Sequence, residues 1–223
     1  MLHSGSRNLG KKVCDYYNKI AKNLNEQWCS SIPKEWDLAF LPLDDEIGQA
    51  YMAEMQYCVD FALANRTLMM NNILDIFASE TAWGVSELIN IAHNYARMEH
   101  HFGKNVMVHR KGATSARLNE YGIIPGSQGT ASYIVNGKGN PDSFMSCSHG
   151  AGRAMGRKQA ERTLDLITEQ KKLDDQGIIH AIRGVHDLDE ASGAYKDIDV
   201  VMAEQSDLVS IVAKLSPLAV IKG

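Results

Sequence analysis

An α+β fold, with mixed or antiparallel sheets and flanking helices, is what this sequence predicts, and three observations predict it. Three- and four-residue apolar spacing runs through the first third of the chain. Short β-type runs bounded by Gly, Asn and Pro occupy most of the remainder. Strands and helices do not alternate regularly, which argues against a βαβ arrangement.

Taken in order, Leu9, Val13, Tyr16, Tyr17, Ile20 and Leu24 predict an amphipathic helix with Lys11, Lys12, Lys19 and Lys22 mostly on its wet side. A Pro-containing connection follows from Ser30 to Asp45. Ile47, Tyr51, Met55, Val59, Ala62, Leu63, Met69 and Met70 then predict a long helix, or a broken pair, reaching Ser79 and opened by Asp44, Asp45 and Glu46. Strand-like runs are Leu88–Ile91, Val106–Val108, Ser132–Val135, Ile178–Ile182 and Leu218–Ile221, and helical patterns return at about Ala151–Lys171 and Asp197–Gln205.

Length and charge bound the function. The 223 residues suit one domain over 1–223, and 23 Lys+Arg against 27 Asp+Glu give a net charge of −4. That excludes coating nucleic acid by bulk positive charge, so an RNA or nucleotide contact needs a local cluster. Arg97–Arg117 and Arg153–Arg162 are the two basic clusters, a phosphate track if they meet and solvated faces if they do not. Cys14, Cys29, Cys58 and Cys147 form no C-x-x-C pair and no signal peptide precedes them, so reduced thiols in a cytoplasmic protein are expected. No apolar run approaches the roughly 20 residues of a membrane span.

The densest chemistry lies at Ser146–Arg157. Gly150 and Gly152 flank Ala151 directly after His149, with an apparent helix following. Backbone N–H groups and Arg153 and Arg157 can then face an anion under the imidazole, which is populated as the free base near neutrality and can attack phosphorus. A Gly-rich turn into a surface helix with an incidental histidine is the competing reading. The loop Pro125–Ser132 offers small hydroxyls and backbone amides, as phosphate loops and ordinary turns both do. His93-Asn94 closes the run Leu88–Ala92, where imidazole can ligate a metal, although a lone histidine is more often a packed or solvated one. His100, His101 and His109 lack a chelating arrangement, Glu99 reads as solvated, and His180 and His186 read as structural or surface residues. Lys222 stands one residue from the end, where it is either frayed or delivered to a site by the apolar run before it. The polar segment His3–Gly10 comes with no strand before it, as expected of a disordered start or of the later part of something longer.

Seven ordered segments carry a family resemblance: H-S-G-S-R-x-x-G at His3–Gly10, A-H-N at Ala92–Asn94, R-K-G-A-T at Arg110–Thr114, P-G-S-x-G-T-A-S-Y at Pro125–Tyr133, S-H-G-A-G-R at Ser148–Arg153, A-Y-K-D-I-D at Ala194–Asp199, and terminal Lys222-Gly223. Together they resemble the RtcB family of GTP-dependent RNA ligases, which join RNA 3′-phosphate or 2′,3′-cyclic phosphate ends to 5′-hydroxyl ends. The resemblance covers essentially the whole chain and implies an RtcB-like fold, with the chain as the carboxy-terminal portion of the ligase domain.

The resemblance implies that His149 attacks the α-phosphate of GTP and carries GMP. It implies that His3 and His93 help hold manganese, Mn(2+), and that His93, Asn94, Pro125, Gly126, Ser127, Gln128, Ser132, His149, Gly150, Ala151 and Gly152 surround the nucleotide. Tyr195 would stand at the guanine and Lys222 would contact it. Implied partners are RNA ends such as tRNA halves or broken RNA, the family's amino-terminal half or a full-length homologue, and an archease-type activator, with no membrane. Two departures stand out. Gln128 replaces a common Met, and the family's amino-terminal half, with its aspartate and cysteine ligands, has no counterpart. None of the four cysteines sits in the matching context, and His3 and His93 alone make an incomplete metal site. The expectation is an RNA ligase that is inactive without that half. A catalytically silent nucleotide- or RNA-binding remnant is the alternative, and a metal-dependent phosphoesterase is the weakest reading.

Overall fold

The computed structural model describes residues 1–82, 84–85 and 87–221. Two compact units emerge, Met1–Tyr95 and Ala96–Gly223. Helices and small antiparallel sheets make it an α+β protein, as the sequence predicts.

The first unit is built on α1 (Arg7–Gln27) and α2 (Glu46–Glu80). Tyr17, Ala21 and Asn25 recur every fourth residue on α1 and form its buried stripe. The Tyr17 hydroxyl donates to Glu54 Oε1 at 2.9 Å, joining the two helices. Asn25 acts as a brace for the connection between them: Nδ2 donates to Ala21 O at 2.8 Å and Phe40 O at 2.7 Å, and Oδ1 accepts from Phe40 N at 3.3 Å. α2 is one unbroken helix of 35 residues. Apolar though it is, Tyr57, Phe61, Leu63, Leu68, Met69, Ile76 and Phe77 are exposed along it. Among the described residues, no helix is long and apolar enough to cross a membrane.

After α2 the run Leu88–Ile91, expected as a strand, is irregular. The Asn90 side chain is taken by Arg66 on α2, at 2.7 Å, so the segment is held through a side chain. β1 (Asn94–His101) starts just beyond His93 and leads into the second unit, pairing with β2 (Lys104–Lys111). β3 (Ala113–Ser115) and β6 (Ser146–Ser148) pair antiparallel, with Ala113 opposite Ser148. The third sheet has the order β4–β5–β7, from β4 (Tyr121–Ile124), β5 (Ser132–Gly137) and β7 (Val209–Leu215), antiparallel throughout with a bulge at Ile134/Val135.

β7 corrects the expected strand at Leu218–Ile221. Lys214 does not break it, because the ammonium reaches out to Asp199 at 3.0 Å from an exposed position. The runs Ile178–Ile182 and Leu218–Ile221 do meet, but only through one parallel bridge between Ile179 and Ala219. The helix expected from Ala151 to Lys171 divides into α3 (Arg157–Thr163) and α4 (Leu166–Asp174). Asp165 restarts it by accepting from Thr168 N at 2.8 Å as an N-cap. α5 (Ile198–Glu204) closes the helical set. Its Ile198 and Met202 pack with Ile124, Tyr133, Val135, Cys147 and Val209 in the main core. Leu173, Ile178 and Ile182 form a smaller cluster beside α4.

Candidate functional site

In the first unit, His3 and His93 come together across 90 residues of sequence, with their Nε2 atoms 3.2 Å apart. α2 brings them there. Asn65 Nδ2 donates to Ser4 Oγ at 3.0 Å and to Gly5 O at 3.2 Å, while Arg66 donates to Ser4 O at 3.2 Å and to Asn90 Oδ1 at 2.7 Å. Two neighbouring helix residues thus hold the segment after His3 and the segment before His93. Two nitrogens about 2.1 Å from one metal, at angles of about 90–110°, stand roughly 3.0–3.4 Å apart, so this pair fits two adjacent ligand positions. Among the described residues, no group of three or more His, Cys, Asp or Glu side chains could hold an ion. Two imidazoles alone are fewer ligands than a protein metal site ordinarily supplies, so the described residues do not make a complete one. Asn94 is exposed at the start of β1.

In the second unit, three loops converge. β6 delivers His149, whose backbone N donates to Gly112 O at 3.4 Å. The buried amide of Gln205 at the end of α5 fixes the preceding residue, with Oε1 accepting from Ser148 N at 3.0 Å. The His149 side chain is half-buried, and its Nδ1 is closed to solvent. Gly150–Gly152 then turns back against the second loop: Ala151 N donates to Pro125 O at 3.0 Å. Gly152, at φ +74°, adopts a left-handed conformation open to glycine, and its carbonyl accepts from Lys196 N at 3.0 Å.

The Pro125–Ser132 loop is self-braced. Thr130 Oγ1 accepts from Ser127 N at 2.6 Å and lies 2.9 Å from Ser127 Oγ, while Ser132 Oγ accepts from Gly126 N at 3.4 Å. A Cβ on Gly126 would fall 2.2 Å from Ala131 O, so the turn closes only on glycine. Gln128 is half-buried in the same turn. Gly129 N donates to Ser192 Oγ at 3.0 Å, tying this loop to the third, 192–196, whose Gly193 N is held by buried Glu169 at 3.1 Å. There Tyr195 forms a β-bridge with Arg153, whose guanidinium carbon sits 5.0 Å from the Tyr195 ring centre. Burial first, then the Glu190 carboxylate that accepts its proton, pushes the Tyr195 phenol up to about 12, so it stays a donor.

The expected site residues Pro125, Gly126, Ser127, Gln128, Ser132, His149, Gly150, Ala151, Gly152 and Tyr195 therefore share one region of this unit. Lys222 lies outside the described residues. Two expectations need correction. The Gly150–Gly152 loop does not open a helix, because turn and bridge residues separate it from α3 at Arg157, so no helix N-terminus lies at this loop. Glu99 is not solvated but 7% exposed, paired with Arg110, His101 and Arg117. The basic clusters stay largely exposed, with Arg110 alone buried, and four of their arginines are paired: Arg110 and Arg117 with Glu99, and Arg153 and Arg157 with Glu190. Carboxylates distant in sequence reach them, which charge counting along the chain does not register. His109 and His186 are exposed, and His180 Nε2 meets Asp174 at 3.1 Å, as structural or surface histidines do. Asn65, Arg66 and Gln205 carried no sequence signal, since each acts through a tertiary partner.

The family model described as tRNA-splicing ligase RtcB matches residues 1–223. The RNA-splicing ligase RtcB of Escherichia coli (strain K12) is 40% identical over 230 residues, covering 100% of this chain and 55% of the relative. The tRNA-splicing ligase RtcB of Methanococcus maripaludis is 35% identical over 251 residues, covering 100% of this chain and 52% of the relative. The RNA-splicing ligase RtcB of Mycobacterium tuberculosis is 35% identical over 246 residues, with 56% of the relative covered. The chain spans about half the length of the curated relatives it matches. With a match running the full 1–223 and a histidine loop braced by two further glycine- and serine-containing loops, the chain belongs to the RtcB family.

Proposed function

We propose that this chain supplies the nucleotide-accepting portion of an RNA ligase that joins RNA 3′-phosphate or 2′,3′-cyclic phosphate ends to 5′-hydroxyl ends at the expense of GTP. The observation that supports it most is the convergence of His149 and Gly150–Gly152 with the Pro125–Ser132 loop and with Tyr195, beside the ligase names its relatives carry. His149 is the nucleophile: with Nδ1 closed to solvent, the Nε2 lone pair is assigned to attack the α-phosphorus. The bond to the bridging oxygen breaks, pyrophosphate leaves, and GMP stays on the imidazole. The Gly150–Gly152 turn is assigned to lie against the phosphate oxygens, with Ala151 N held by Pro125 O and Gly150 N by Ser148 Oγ, and Tyr195 is assigned to the base. GMP then passes to the RNA 3′-phosphate, and the 5′-hydroxyl displaces it.

His3 and His93 are assigned to manganese, which polarises the reacting phosphate when bound. The pair needs further ligands, and by resemblance the amino-terminal portion of the family brings an aspartate and a cysteine. RNA ends from tRNA halves or broken transcripts are the assigned substrates, an archease-type protein the assigned activator, and the cytoplasm the assigned compartment.

The test is a joining assay. This chain, co-expressed with the amino-terminal portion of the Escherichia coli relative, should seal a 3′-phosphate RNA to a 5′-hydroxyl RNA only with GTP and manganese. The two-histidine metal site favours a second reading for the chain alone, nucleotide binding without chemistry. GMP affinity without sealing or labelling in the reconstituted protein would select it.

A further inference from the structure

The second unit places its most deeply buried charge two residues from the backbone that supports His149. The Arg110 and Glu99 side chains are 1% and 4% exposed. Arg110 donates NH1 to Glu99 Oε1 at 2.5 Å and NH2 to Glu99 Oε2 at 3.1 Å. The same guanidinium also gives NH2 to Phe144 O at 3.1 Å and Nε to Ser146 Oγ at 3.0 Å. The carboxylate is fixed in turn by His101 Nε2 at 2.9 Å and by Arg117 at 2.9 Å. A buried ion pair contributes little net stability compared with apolar packing of the same volume, so its value here lies in geometry. The planar, rigid fork of arginine fixes direction as well as distance.

Both strands bound by that fork lead to His149. From Ser146, β6 runs to Ser148 and then His149. From Arg110, the chain runs through Gly112 into β3, which pairs with β6 at Ala113–Ser148 and Ser115–Ser146. Gly112 O accepts from His149 N, and Gly112 also backs the ring: a Cβ there would sit 3.7 Å from Cε1 and 3.8 Å from Nδ1. We propose that Glu99 and Arg110 are positioning residues for His149, setting through Ser146 and Gly112 the orientation of its ring over the Gly150–Gly152 loop. The proposal rests on the reading of His149 as nucleophile, and it gives that histidine a buried support in the β1–β2 hairpin.

The test reads the imidazole directly, in this chain without nucleotide. Long-range ¹H–¹⁵N spectra give the ring signals and tautomer of His149, assigned by their loss in His149→Gln. Arg110→Lys keeps the charge and loses the fork; Glu99→Gln keeps the shape and loses the charge. Both should move the His149 ring signals and the Gly112 amide, at least ~3-fold further than Ile182→Ala, which loosens the separate cluster beside α4. Ser146→Ala leaves the ion pair and cuts one link, and should move the same signals by a smaller amount. Ring signals at their wild-type positions in folded Arg110→Lys and Glu99→Gln would overturn the proposal. Should both variants fail to fold, Ser146→Ala decides, since an unmoved ring there overturns it equally. GMP labelling is scored separately: moved ring signals with no labelling of the wild type would sink the nucleophile reading alone, and unmoved signals with normal labelling would sink the positioning role alone.

Discussion

The two units hold their histidines by different physical means. Residues 1–95 bring His3 and His93 together with hydrogen bonds from Asn65 and Arg66 on a half-exposed helix surface. Residues 96–223 hold His149 between strands locked by a buried ion pair and a buried amide, beside a continuous apolar core. Of the 21 buried apolar residues described, only Tyr17, Ala21 and Cys58 fall in the first unit. α2 meanwhile exposes seven large apolar side chains. A loop that orders a nucleotide gains from being preformed, because ordering it at the moment of binding costs conformational entropy. The His3–His93 pair is more lightly supported, by side-chain hydrogen bonds on a partly exposed helix face.

The sharpest break between the units is charge burial. Glu99→Gln should cost about 3–5 kcal/mol in denaturant unfolding at neutral pH, because it strands Arg110 without its counter-charge. The Arg110 hydrogen bonds hold the Glu99 carboxyl down at about 2, from an ordinary 4.5. Its stabilisation is therefore complete above about pH 4.5 and fades as pH falls toward 2, so the deficit of the variant should shrink over that window. A deficit independent of pH would mean the carboxylate is not what Arg110 needs.

Ile124→Ala, at a position fully buried in the main core, should cost about 2–5 kcal/mol. In the first unit Tyr17→Phe, which removes only the bond to Glu54, should cost about 0.5–1.5 kcal/mol. Leu68→Gln, on the exposed face of α2, should stay within about 0.5 kcal/mol of wild type. A large loss at Leu68 would show that this face is covered. Hydrogen exchange offers an independent ranking, with β5 amides the slowest and the last turns of α2 among the fastest.

Much of this was legible in the chain. α1 and α2 follow from apolar spacing, because a helix needs only its own period to declare itself. β2 and β5 were marked by Val, Ile and Tyr between turn residues, and the site loops by their glycines and hydroxyls. β7 was obscured because Lys214 interrupts an apolar run, although an edge-strand lysine reaches solvent or a surface carboxylate at little cost. The division of α3 from α4 hung on one capping residue, Asp165. Glu99 read as solvated and Arg110 as one member of a basic cluster, because their burial depends on each other across 11 residues and on Phe144 and Ser146 beyond. Motifs announced the loops that gather around His149, whereas the residues that hold those loops in place act through long-range partners.

The most direct test of the central claim is where GMP is bound. With the family's amino-terminal portion supplied, manganese and GTP labelled at the α-phosphate should leave label on His149 in an acid-labile, alkali-stable bond, the behaviour of a phosphoramidate. His149→Ala should abolish the label and His109→Ala, at an exposed position on β2, should leave it unchanged. Label that persists in His149→Ala, or that survives acid, would contradict the account.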